Sequence, residues 1–164
     1  MENFKKYIVL WLSQSISQLG SSMTAFSFIL WIYEQTHSAL SISIISFCNY
    51  VPYILTSIFA GTFVDNHRKK TVMLVSDCVA AIASLFALVF FMAGNLSVWH
   101  IYIINIIVGV SMAFQQPASS VAIAKIVPKD KLSNVSGMNP FSSNLVIAFS
   151  PMLAAVIFSI GGLP

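Results

Sequence analysis

Five long apolar runs set the pattern of this chain. They cover about residues 7–33, 39–64, 71–93, 98–124 and 132–160. Each exceeds the roughly 20 apolar residues that carry an α-helix across a bilayer. Short polar stretches separate them: Glu34-Gln35-Thr36-His37-Ser38, then Asp65 to Lys70, then Gly94-Asn95-Leu96-Ser97, then a charged loop with Lys125, Lys129, Asp130 and Lys131. The expected fold class is therefore all-α and polytopic, five spans joined by tight connections.

The runs are not uniformly apolar, and their polar interruptions are the informative positions. Span one is polar in its middle, from Ser13 through Thr24. Gln14, Gln18 and Ser21 recur at helical spacing and share one face. Amides are costly against lipid, so that face meets other helices, as packing glue, or lines a wet cavity. Span two carries Asn49 just before Pro52. Proline removes a backbone donor and bends a helix, so Asn49 either repairs that defect or faces a cavity. Span four places Asn105 about two turns in, presents Gly109, Ser111 and Ala113 as a small face, and meets Gln115-Gln116-Pro117, where a kink is expected before the helix continues. Span five carries Gly137, Asn139-Pro140, Asn144 and Ser150-Pro151. Two prolines predict an interrupted helix, of the kind that lines transport pathways.

Composition supports the membrane reading. Hydrophobic residues make up 57% of the 164 residues and charged residues 8%, against about a quarter charged in a soluble domain. The net charge of +3 does not indicate nucleic acid, because the bases are few and scattered between apolar runs. They report topology instead. Lys5 and Lys6 precede span one, Arg68, Lys69 and Lys70 follow span two, and Lys125, Lys129 and Lys131 follow span four. Every Lys and Arg thus falls on one side, which the positive-inside rule makes cytoplasmic. The first run is too long for a cleaved signal peptide, so a retained first span with a cytoplasmic N-terminus in the plasma membrane is expected. Trp99 and Tyr102 suit the opposite interface.

Candidate chemistry is sparse. Asp77 is the one acid clearly inside a run, roughly 9 Å from Thr71 along a helix. It is either paired with a hinge lysine or water near the interface, or an ion-coupling or gating carboxylate. Glu34 and His37 are interfacial residues or handle protons at a membrane mouth. Cys48 and Cys78 lie at different depths of neighbouring antiparallel runs, which disfavours a bridge; both read as small buried hydrophobes. Metal-ligand spacing is absent, no cofactor is implied, and no clustered acids or nucleophile motif suggest an enzyme.

The stretch Gly61-Thr62-Phe63-Val64-Asp65-Asn66-His67-Arg68-Lys69-Lys70 carries a resemblance. It resembles the loop motif between the second and third helices of the major facilitator superfamily, G-x-x-x-D-(R/K)-x-G-(R/K)-(R/K). Gly61, Asp65, Lys69 and Lys70 match; Asn66 and Arg68 depart. Ser17-Gln18-Leu19-Gly20, Trp31-x-Tyr33-Glu34-Gln35-Thr36, and Gly109 through Pro117-Ala118-Ser119 to Val127-Pro128-Lys129 look like the macrolide-efflux branch. Ser150-Pro151-x-x-Ala154-Ala155 looks like a weakened fifth-helix antiporter motif.

The resemblance implies a partial N-terminal bundle of that fold, with further C-terminal helices needed for a complete transporter. It implies efflux of drug-like small molecules such as macrolides by alternating access, coupled to protons. Gln14, Gln18, Asn49, Asn105 and Asn144 are then candidate cavity lining. Asp65 becomes the acid of a cytoplasmic latch, favoured at a positive helix end. The arginine usual in the fourth helix is replaced by Asn105, which leaves Arg68 as an alternative partner for Asp65. A rival expectation is a small membrane scaffold or regulatory protein that associates through its small-residue faces and transports nothing itself.

Overall fold

The computed structural model describes residues 2–127 and 132–161. It contains five helices: α1 (Glu2–Thr36), α2 (Ala39–Asn66), α3 (Lys69–Met92), α4 (Val98–Ile126) and α5 (Leu132–Gly161). No strand occurs among the described residues. Helices α2, α3, α4 and the stretch Gly137–Ile157 of α5 are long and apolar enough to cross a membrane. Helix α1 is the longest, at 35 residues, but the polar stretch from Ser13 to Thr24 lowers its apolarity. Lys129, Asp130 and Lys131 of the last charged loop lie outside the described residues.

The prolines do not break these helices. Pro52 lies inside α2, Pro117 inside α4, and Pro140 and Pro151 inside α5. The interruption expected in span five is therefore corrected to one continuous helix. A proline withholds a single donor, and the helix carries on through the bonds of the residues on either side; two serines near the prolines also bond to the backbone, though not to the carbonyls the prolines leave free. Ser142 Oγ donates to the Asn139 carbonyl at 3.0 Å and Ser150 Oγ to the Val146 carbonyl at 2.5 Å.

The first polar turn is also shorter than its composition suggests. Glu34, Gln35 and Thr36 are helical, and only His37 and Ser38 connect α1 to α2. His37 takes φ 47 and sends its N–H to the Tyr33 carbonyl at 2.8 Å. That is the left-handed helix stop usually given to glycine. Thr36 Oγ1 closes the same turn on the Ile32 carbonyl at 2.8 Å. The α3–α4 connection does use glycine. Gly94 has φ 68, its N–H reaches the Phe91 carbonyl, and the Asn95 N–H reaches that of Phe90. This double closure is a Schellman stop.

The chain forms two compact units, one built from its two ends up to Trp31 and from Ile123, the other from Ile32–Ala122. In the first, α1 meets α5 and the end of α4. Tyr7, fully buried, packs with Val127 and Val135, flanked by Ile8, Trp11, Ile123, Ile126 and Met138. In the second, α2 and α4 run parallel. Tyr102 OH bonds the Ser41 carbonyl near one end, and Val64 packs with Ala118 near the other. Helix α3 runs antiparallel to α4, with Phe90 stacked on His100 near their shared turn and Met73 packed with Ala118 at the far end.

The small face of α4 permits one close approach. A Cβ added at Gly109 would overlap the Asn49 backbone carbonyl of α2. Helices in lipid associate by such packing of small residues, because lipid offers no hydrophobic drive to hold them together. Elsewhere large apolar side chains are exposed, as Leu74, Val75, Ile82, Leu85 and Leu88 are along α3. Both cysteines are free. Cys78, expected to be buried, is exposed: a helix turns about 100° per residue, so the position after Asp77 leaves the α4 side.

Two stability measurements follow, by thermal unfolding in detergent micelles. Gly109→Ala should lower stability by about 1–3 kcal/mol through overpacking, whereas Gly20→Ala, with nothing near its Cβ site, should gain about 0.5–1 kcal/mol. Equal shifts in the two variants would refute the close seam. His37→Gly should be stabilising and Gly94→Ala destabilising, each by about 1 kcal/mol, because only glycine adopts positive φ without a Cβ penalty.

Candidate functional site

The basic hinge solves a local problem before it can do anything else. The last carbonyls of a helix have no donor within the helix. At the end of α2 four consecutive carbonyls are met individually. Asn66 Nδ2 donates to Thr62 at 3.1 Å, His67 Nδ1 to Phe63 at 2.8 Å, the His67 backbone N–H to Val64 at 3.2 Å, and Lys69 Nζ to Asp65 at 2.8 Å. The His67 ring also stacks on Phe63, centroids 4.0 Å apart, and Phe63 meets Phe114 of α4 edge-on at 5.4 Å. A cation at a helix C-terminus is favoured by the dipole. Lys69 is also the first residue of α3, where the dipole has the opposite sign, so turning its ammonium back onto α2 settles that conflict.

Asp65 itself is exposed, as are Arg68 and Lys70, while Gly61 and Lys69 are half-buried. The pairing of Asp65 with Arg68 is not formed. His67 and Arg68 have extended backbones, and two extended residues carry the Arg68 side chain away from the last turn of α2. The base that reaches back is Lys69, and it takes the Asp65 carbonyl.

Deeper in the second unit, three polar contacts tie α4 to its neighbours. Gln115 Nε2 donates to Asp77 Oδ1 of α3 at 3.1 Å. Tyr53 OH of α2 donates to Gln116 Oε1 at 2.8 Å. Asn49 Nδ2 makes a long bond, 3.4 Å, to the Asn105 carbonyl. Asn49 therefore reaches α4 rather than repairing its own helix ahead of Pro52. Asn105 is 6% exposed and turns its amide onto the Ile101 carbonyl at 2.9 Å. Adjacent glutamines point about 100° apart on a helix, which lets Gln115 serve α3 while Gln116 serves α2, immediately before Pro117.

In the first unit the half-buried Gln18 accepts a bond from Ser143 Oγ of α5 at 3.2 Å, and Tyr7 OH donates to Asn139 Oδ1 at 3.1 Å. Gln14 is half-buried on the same face of α1, and Asn144 is exposed. Ser150 and Ala154 are buried one turn apart, with Pro151 half-buried and Ala155 exposed. Glu34 is exposed on the last turn of α1. Among the described residues no cluster of His, Cys, Asp or Glu could hold a metal ion.

Gln115 and Ser143 belong to these contacts although the sequence pattern singles out their partners, Asp77 and Gln18, as candidates instead, and the Tyr53–Gln116 and Tyr7–Asn139 pairs were not expected. One signal was available. Counting outward from the Gly94–Ser97 turn along two antiparallel helices, Asp77 and Gln115 lie at nearly equal distances.

Comparison with known proteins places this arrangement. The profile of a family described as transmembrane secretion effector matches residues 3–163. Macrolide efflux protein A of Streptococcus pyogenes is 28% identical over 156 residues, which are 94% of this chain and 38% of the relative. Macrolide efflux protein A of Enterococcus faecalis is 30% identical over 122 residues, 74% of this chain and 36% of the relative. The Staphyloferrin A transporter of Staphylococcus aureus is 26% identical over 160 residues, 96% of this chain and 38% of the relative. The chain thus spans well under half the length of these relatives. No solved structure matches it. With five helices, a multi-pass apolar character and a profile match along nearly its whole length, the chain belongs to the transmembrane secretion effector family of major facilitator superfamily transporters.

Proposed function

We propose that the chain forms the N-terminal helices of a plasma-membrane exporter of amphipathic small molecules of the macrolide class, completed by further C-terminal helices. One observation carries the reading: 94% of the chain aligns with macrolide efflux protein A. The Staphyloferrin A transporter among the relatives widens the candidate substrates beyond macrolides. Export runs by alternating access and draws on the proton gradient. Asp77, held by Gln115 between α3 and α4, is the carboxylate that takes up and releases the proton; an ionisable group at membrane depth is costly and is kept for function. Gln14, Gln18, Asn49, Asn105 and Asn144 supply amides to the substrate path as the helices rearrange. Asp65, exposed at the end of α2, is the latch acid and meets the N-terminus of a helix outside these five, where a carboxylate is stabilised.

Expressing the native locus in a macrolide-sensitive host should lower cell-associated radiolabelled macrolide several-fold, and a protonophore should restore it. Unchanged accumulation excludes macrolide export; export that survives the protonophore excludes proton coupling. In the same assay Asp77→Asn should abolish gradient-driven export while substrate binding persists, and Asp65→Asn should slow export more than it weakens binding. The N-in orientation makes Asn95→Cys, in a background lacking Cys48 and Cys78, react with an impermeant maleimide on intact cells. Asn66→Cys should react only after permeabilisation. The reverse pattern inverts the topology.

A further inference from the structure

At the start of α4 the structure holds a capping arrangement built with a histidine. In a capping box the third helical residue, usually Glu or Gln, turns back to accept the backbone N–H of the N-cap residue. Ser97 precedes α4, and His100 is its third residue. The Ser97 N–H donates to His100 Nδ1 at 3.1 Å, and the Ser97 hydroxyl lies 3.0 Å from the same nitrogen. The His100 backbone N–H meets the Ser97 carbonyl at 3.0 Å. A backbone N–H can only donate, so Nδ1 is the bare nitrogen and the ring proton sits on Nε2. The ring stacks on Phe90 of α3, centroids 4.5 Å apart and planes 13° from parallel. The groove that it lines is otherwise formed by Phe90, Ala83 and Phe86 of α3 and Ile103, Ile104 and Ile107 of α4. None of these titrates, and Gly94 to Ser97 contribute no charge.

We infer that His100 is an acid-sensitive cap, which holds the α3–α4 connection closed when neutral and releases it when protonated. A proton on Nδ1 faces the Ser97 N–H donor to donor, so that bond is lost. The new N–H can turn to the Ser97 hydroxyl, and the Ser97 backbone amide is then without an acceptor. The positive ring also sits at the positive end of α4, which opposes it. Phe90 works the other way, since an aromatic face attracts a cation. The ring accordingly stays on α3 while the turn at residues 94–97 opens. The cap is present while the ring is neutral and lost when Nδ1 takes a proton. The orientation proposed above puts this turn outside the cell, so the external pH sets its state; that placement rests on the proposed topology, whereas the switch does not.

The test is amide hydrogen exchange on the full chain in lipid nanodiscs at pH 7.5 and 5.5, corrected for intrinsic rates. Ser97 should lose about fivefold in protection at pH 5.5, the factor typical of one lost cap. His100→Gln, whose side-chain oxygen accepts at either pH, should keep protection constant. Protection of Ser97 that does not change with pH in the wild type, or that changes equally in His100→Gln, overturns the inference. A second measurement needs no variant at the cap: imidazole ¹⁵N signals of a His37→Asn, His67→Gln chain at pH 8 should show a bare Nδ1 and a protonated Nε2, and the opposite tautomer overturns it. Exchange in nanodiscs is independent of maleimide sidedness, so failure of the switch and failure of the topology are told apart.

Discussion

A backbone carbonyl left without a donor at membrane depth costs several kcal/mol, and that cost shapes nearly every irregular place in this chain. Where α2 ends, four consecutive carbonyls draw in Asn66, His67 and Lys69. Where α1 ends, a histidine accepts left-handed geometry so that its N–H can close on Tyr33. Along α5, Ser142 and Ser150 add hydroxyl bonds to carbonyls within the helix, those of Asn139 and Val146. The residues that interrupt the apolar runs are thus largely committed to the main chain, and few polar groups remain for communication between helices.

Those few make a consistent set. In the second unit, four polar bridges between helices end on α4: at Tyr102 and Asn105 near its start, and at Gln115 and Gln116 near Pro117. Helix α4 is the member to which α2 and α3 are both referenced. It also carries Gly109 and the buried Ser111 and Ala113, so close packing and polar bridging act on the same element. The basic hinge is peripheral to this arrangement mechanically, although Phe63 and Phe114 connect the two.

The helical class, the five elements and their approximate limits were legible in the sequence, because runs of apolar residues longer than a bilayer leave few alternatives. Gly94 announced its turn for the same reason that any left-handed position favours glycine. The stop at His37 was not legible, since a histidine there carries no compositional signal and Glu34 to Thr36 read as loop by polarity alone. Prolines read as interruptions because sequence shows the missing donor and not the continuity of the helical bonds on either side of it. At the site, Asp77 was visible as a lone acid, but its partner Gln115 emerges only once α3 and α4 are paired. Arg68 was the nearest base to Asp65 in number; the extended backbone at residues 67 and 68 makes Lys69 the one that reaches back.

The seat of Asn49 against Gly109 has a consequence for how these helices can move. One turn up or down α4, the equivalent positions are Asn105 and Ala113, and both carry a Cβ. Helix α2 therefore finds no second notch by slipping 5.4 Å along its neighbour. A ratchet needs repeated seats, and this seam has one. Within the Ile32–Ala122 unit, this seat favours α2 and α4 moving together, pivoting rather than sliding.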